Sequence, residues 1–108
     1  MLDKRKVREI ALKYSDEIRK IIDPASVILF GSYVNGTPHE WSDIDIAVLA
    51  DNVKEEDWHD TAVSLWSTRR KSINDFIDIE PHLLDPNYDP SGFVEHVIKT
   101  GEVIYSAN

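Results

Sequence analysis

Residues 43–49 read Asp-Ile-Asp-Ile-Ala-Val-Leu, placing two carboxylates in alternation within an apolar run. A period of two is the pattern of a β-strand, so Asp43 and Asp45 project to one face while Ile44, Ile46 and Val48 take the other. At about 3.3 Å per residue their side chains stand roughly 7 Å apart along the strand. Two like charges held that close are costly unless a cation lies between them. The stretch therefore demands a half-buried strand with one apolar face, and it points to a divalent ion on the other. Magnesium suits such a place, being a hard ion bound through one or two carboxylates and substrate phosphates.

Upstream, the apolar run 27–30 stops at Gly31-Ser32. A glycine at a strand end frees the backbone to approach a ligand, and the following N–H groups and hydroxyl can receive a phosphate. The next turn signal is Asn35-Gly36-Thr37-Pro38. His39 in the same loop is a possible donor, although a loop histidine is ordinarily just exposed.

The flanking segments supply the layers that such a strand needs. Residues 3–22 form an amphipathic helix, with Val7, Ile10, Ala11, Tyr14, Ile18, Ile21 and Ile22 on one stripe, ended by Asp23-Pro24. Ser26–Phe30 is the first strand. A second helix is expected from Asn52, capped by Asn52 and Glu55, with Trp58, Ala62, Leu65, Trp66 and Ile73 as its apolar stripe. Arg69, Arg70 and Lys71 near its end either favour the helix C-terminus or meet a phosphate. Residues 76–84 form a third strand, on which Phe76, Asp78 and Glu80 share a face and His82 continues the alternation. His82 is a further candidate donor to a phosphate. Asp89-Pro90 opens a last helix with Phe93, Val94, Val97 and Ile98 inward and Gly101 as a left-handed cap. Residues 103–105 close the chain as a short strand. The expected architecture is α/β (α+β): a mixed sheet of three or four strands packed on three helices, in one domain over residues 1–108.

Composition narrows the function. With 12 basic and 20 acidic residues the net charge is −8, which argues against broad electrostatic binding to nucleic acid. There is no cysteine, and the four histidines lack zinc-ligand spacing. No stretch approaches 18 apolar residues and the start has no apolar h-region, so no membrane association and a cytoplasmic location are expected.

Gly31-Ser32, ten intervening residues and Asp43-Ile44-Asp45 resemble the G-S-x10-D-x-D signature of the DNA polymerase β-like nucleotidyltransferase superfamily. At 108 residues the chain is similar to its minimal nucleotidyltransferase branch, whose members often act as antitoxins paired with a HEPN-domain protein. The resemblance implies the nucleotidyltransferase fold, with Asp43 and Asp45 holding two magnesium ions and Gly31 and Ser32 anchoring the phosphates of ATP. It also implies a third carboxylate from a neighbouring strand; Glu80, in Ile79-Glu80-Pro81, looks like the matching position, with Asp78 as the alternate. Many relatives carry a basic residue soon after the Gly-Ser pair, where this chain has Tyr33, Val34 and Asn35. The implied reaction is transfer of AMP to a hydroxyl of a HEPN partner within a hetero-oligomer. Two alternatives stay open: a catalytically weak module that neutralises its partner by binding, and transfer to a small molecule. The second is disfavoured because relatives of that kind carry an additional substrate domain.

Overall fold

In the computed structural model, residues 3–35, 43–69 and 78–107 are described, with backbone alone at Ser32 and Asn35. Helix α1 spans Lys4–Ile18 and begins at Asp3, whose carboxylate accepts a hydrogen bond from the Lys6 N–H at 2.8 Å. Val7, Ile10, Ala11, Tyr14 and Ile18 are its buried stripe, as the periodicity predicts. The helix stops four residues earlier than expected. The Ile18 carbonyl accepts from both Ile21 and Ile22, so the last turn tightens before Pro24 is reached.

Four strands follow: β1 (Ser26–Phe30), β2 (Ile44–Leu49), β3 (Ile79–Leu84) and β4 (Glu102–Ser106). They form one sheet in the order β3-β2-β1-β4. β1 is antiparallel to both β2 and β4, and β3 runs parallel to β2. A parallel neighbour requires a crossover, and helix α3 (Trp58–Thr68), preceded by a 3₁₀ turn at Glu55–Asp57, lies on it. A one-turn helix, α2 (Ser32–Asn35), follows β1, and α4 (Phe93–Thr100) precedes β4. The mixed four-stranded sheet with three longer helices is the architecture the sequence predicts.

Alternation divides the sheet into two faces. Val27, Leu29, Ile44, Ile46, Val48 and Ile79 join the α1 stripe and Leu65 of α3 in the larger core. Ile28, Ala47 and Leu49 point the other way and pack on Val94 and Val97 of α4. With eight residues, α4 is only about 12 Å long. It leaves the end of its face that bears Asp45, Glu80 and His82 partly open to solvent.

Four local expectations need correction. Asn52 is exposed and does not cap α3; the 3₁₀ turn begins after Lys54, with no side-chain cap. Trp66 is 44% exposed, because Thr68 occupies the buried stripe beside Leu65 and turns the tryptophan outward. Phe93 and Ile98 are likewise exposed at 38% and 51%. Gly101 has φ −83° and ψ 173°, an extended rather than left-handed conformation. It is glycine for space: a Cβ there would lie 2.6 Å from the Val97 carbonyl oxygen and 2.4 Å from Ile28 Cγ2. Residues 36–42 and 70–77 lie outside the described residues, and with them the Asn35-Gly36 turn, His39, Arg70, Lys71, Ile73, Phe76 and the first two positions expected of β3.

Candidate metal and nucleotide site

The site is assembled where β1 ends. Phe30, its last residue, pairs with Asp45 in the antiparallel ladder, so the residue that follows passes beside the Asp45 side chain. That residue is Gly31, at φ +86°. A Cβ on it would stand 2.4 Å from Asp45 Oδ2, closer than any side chain tolerates. Glycine thus serves twice, allowing a left-handed turn and letting backbone lie against a carboxylate. The Gly31 carbonyl accepts from the Val34 N–H at 3.1 Å, which closes the turn of α2, and Tyr33 is buried against the larger core.

The second carboxylate arrives through strand pairing. β3 lies parallel to β2 in a register that sets Glu80 beside Asp45 and His82 beside Ala47. His82 Nε2 lies 3.3 Å from Asp45 Oδ1. One donor atom from each of Asp45, Glu80 and His82 falls within 4.8 Å of the others, the one such His and carboxylate group among the described residues. All three side chains are half-buried. Aromatic packing sets the position of the imidazole: the Phe30 ring meets His82 edge-on at 5.1 Å and Phe93 at 5.7 Å, and the His82 and Phe93 centroids are 6.5 Å apart. Two carboxylate oxygens and an imidazole nitrogen, beside a cradle that a Cβ would fill, form a donor set that fits a divalent cation.

The other sequence candidates sit around this cluster. Asp43 is exposed and lies one residue ahead of β2; Asp78 is exposed and lies one residue ahead of β3. Their backbones meet, since the Ile44 N–H donates to the Asp78 carbonyl at 2.7 Å. Neither belongs to the three-residue group, so Glu80, not Asp78, is the acid that stands next to Asp45. Ser32 begins α2 directly after Gly31. Arg69 stacks over the Trp66 ring at 4.8 Å, on the α1 and α3 side of the sheet. His82 is the member that the sequence leaves undervalued. Its signal was one further step of the alternation that carries Glu80.

Beside the cluster, a cleft of about 600 Å³ runs between the end of β3 and the start of α4, lined by Val53, Trp58, Leu84, Tyr88 and Phe93 among others. Phe93 is common to the cleft and to the aromatic contacts of His82.

Solved structures share this fold. A Sulfolobus solfataricus protein proposed to be a nucleotidyltransferase superposes with a TM-score of 0.66 at 20% identity, over 96% of this chain and 84% of that one. A chain of a toxin–antitoxin complex with AMP-PNP gives a TM-score of 0.59 at 27% identity, over 90% and 74%. A chain of the complex between a tri-AMPylated Shewanella oneidensis HEPN toxin and MNT antitoxin gives 0.58 at 23%, over 93% and 73%. Comparison with curated proteins gives no match. Residues 6–108 match the family model described as "Polymerase beta, Nucleotidyltransferase", and the chain belongs to that family.

Proposed function

We propose that this nucleotidyltransferase moves AMP from ATP to a hydroxyl of a HEPN-domain partner protein and thereby acts as an antitoxin. The observation that carries the reading is the pairing of Asp45 with Glu80 across parallel strands, against the bare backbone of Gly31. The resemblance to a toxin–antitoxin chain that was crystallised with AMP-PNP supports the nucleotide and the kind of partner.

In this reading Asp43, Asp45 and Glu80 would hold magnesium. When bound, magnesium neutralises phosphate charge and makes the acceptor hydroxyl more acidic. Gly31 and Ser32 anchor the β- and γ-phosphates through their N–H groups and the Ser32 hydroxyl. Glu80 takes the proton of the acceptor hydroxyl as its oxygen attacks the α-phosphorus in line. The bond from that phosphorus to the bridging oxygen breaks, and pyrophosphate leaves. Catalysis then rests on positioning and charge neutralisation, with no covalent protein intermediate.

The test is incubation of the chain with labelled ATP, magnesium and the product of the adjacent gene. Label accumulates on the partner, and the Asp43→Ala, Asp45→Ala double variant abolishes it. Silencing of the partner without label, unchanged in that variant, would show a binding module instead.

A further inference from the structure

We propose that His82 is a direct metal ligand, and that with Asp45 and Glu80 it gives the site assigned above to magnesium a higher affinity for first-row transition ions than for magnesium. The inference rests on reading Asp45 and Glu80 as metal ligands, and it adds a further ligand and the order of metal affinities that follows from it.

The geometry comes first. Metal bonds to imidazole nitrogen and carboxylate oxygen are about 2.0–2.2 Å, so neighbouring ligand atoms on one ion sit roughly 3 Å apart. The 3.3 Å between His82 Nε2 and Asp45 Oδ1 matches that spacing, and the Glu80 donor lies within 4.8 Å of both. The imidazole is packed for this orientation: Phe30 meets it edge-on, and Phe30 in turn meets Phe93 edge-on. His82 and Asp45 keep 30% and 24% of their side-chain surface exposed, so an ion and its remaining waters have access. Gly31 keeps the Asp45 side free of any Cβ.

Chemistry then selects the ion. Magnesium takes oxygen ligands and dehydrates reluctantly. Imidazole is a nitrogen donor suited to zinc, nickel, iron and their neighbours, whose affinity for a mixed nitrogen and oxygen site rises along the first row. A group of two carboxylates and one imidazole therefore ranks cobalt or nickel above magnesium, whereas two or three carboxylates alone would not separate them as widely.

The competing explanation is that His82 only donates a hydrogen bond to orient Asp45. His82→Gln separates the two, because the amide keeps a donor for Asp45 but is a poor ligand for a transition ion. Calorimetry with Co²⁺ alone and with Mg²⁺ alone is expected to show Co²⁺ bound at least about tenfold more tightly by the unaltered chain. In His82→Gln the Co²⁺ affinity drops by about tenfold or more, while Mg²⁺ affinity changes by less than about twofold. On the unaltered protein, Co²⁺ shifts and broadens the His82 ring resonances at lower concentration than those of His59 and His96. Equal Co²⁺ affinity in His82→Gln, or a His82 ring that Co²⁺ leaves unshifted, overturns the inference. If His82→Gln fails to fold, X-ray absorption of the Co²⁺-loaded unaltered protein decides the question: imidazole scattering around the ion is expected, and a shell of oxygen ligands alone overturns the inference. Label transfer to the partner without any Co²⁺ preference would overturn this inference alone. Co²⁺ bound through His82 with no transfer under any metal would overturn the proposed reaction alone.

Discussion

A Cβ at Gly31 would take the space that the Asp45 carboxylate occupies, and glycine leaves it free. Gly31→Ala must either push the carboxylate away or move the turn, and it holds an L-residue at φ +86° as well. We expect a loss of about 1–3 kcal/mol in denaturant unfolding together with a fall of at least about tenfold in divalent-ion affinity. Unchanged metal affinity would mean that the contact does not hold Asp45 in place. A second residue-scale consequence concerns Tyr14, whose hydroxyl donates to the Leu65 carbonyl and ties α1 to α3. Burial raises its phenol well above the ordinary value near 10, with the Arg69 charge opposing that shift. The unfolded chain thus releases this proton at a lower pH than the folded one. Stability from this group is intact below pH about 10 and is lost as pH rises beyond it. Tyr14→Phe forfeits about 1 kcal/mol at neutral pH and flattens the decline above pH about 10, read from urea titrations across pH.

At the scale of elements, α4 governs how much of its sheet face is covered, and Asp89 governs α4. The Asp89 carboxylate accepts from the Val94 and Glu95 N–H groups, both at 3.0 Å, across the left-handed Gly92. Asp89→Ala leaves those donors without their acceptor and is expected to cost about 1–2 kcal/mol, seen in chemical denaturation. The same change frees the first turn, where Phe93 packs near His82, so the His82 ring resonances should shift; a change in stability alone would separate α4 from the site. The proline of β3 also belongs to this scale. Pro81 is buried and has no N–H, and β3 is an edge strand, the place in a sheet where proline is tolerated. The sequence marks that edge, since Ile79-Glu80-Pro81 cannot be a central strand, and the same edge presents Glu80 and His82.

For the whole molecule, a net charge of −8 sits on a body with a radius of gyration of 13.2 Å. The Debye length is about 30 Å at 0.01 M salt and about 10 Å at 0.1 M, so self-repulsion spans the molecule only in dilute buffer. Exposed ion pairs such as Lys99 with Glu95 offset little of it. The melting temperature is therefore expected to rise by a few degrees between 0.01 and 0.2 M sodium chloride, measured by differential scanning calorimetry. A fall would mean that the ion pairs outweigh the repulsion. Periodicity was enough to read the strands, the three longer helices and the acids of β2 and β3, because alternation and helical spacing are local properties of a chain; that the sheet is mixed is not such a property and came with the family resemblance. Periodicity was not enough to place Trp66 or Gly101. The face of a helix and the room left for a Cβ depend on what packs against them. By itself the sequence determined that Asp45 and Glu80 lie on strands beside a Gly-Ser turn. Only the tertiary structure decided that Gly31 abuts Asp45, that Glu80 and not Asp78 stands beside it, and that His82 rather than Asp43 is the third member of the group. Strand register between residues 35 positions apart is set by packing of the whole sheet, and no local pattern encodes it.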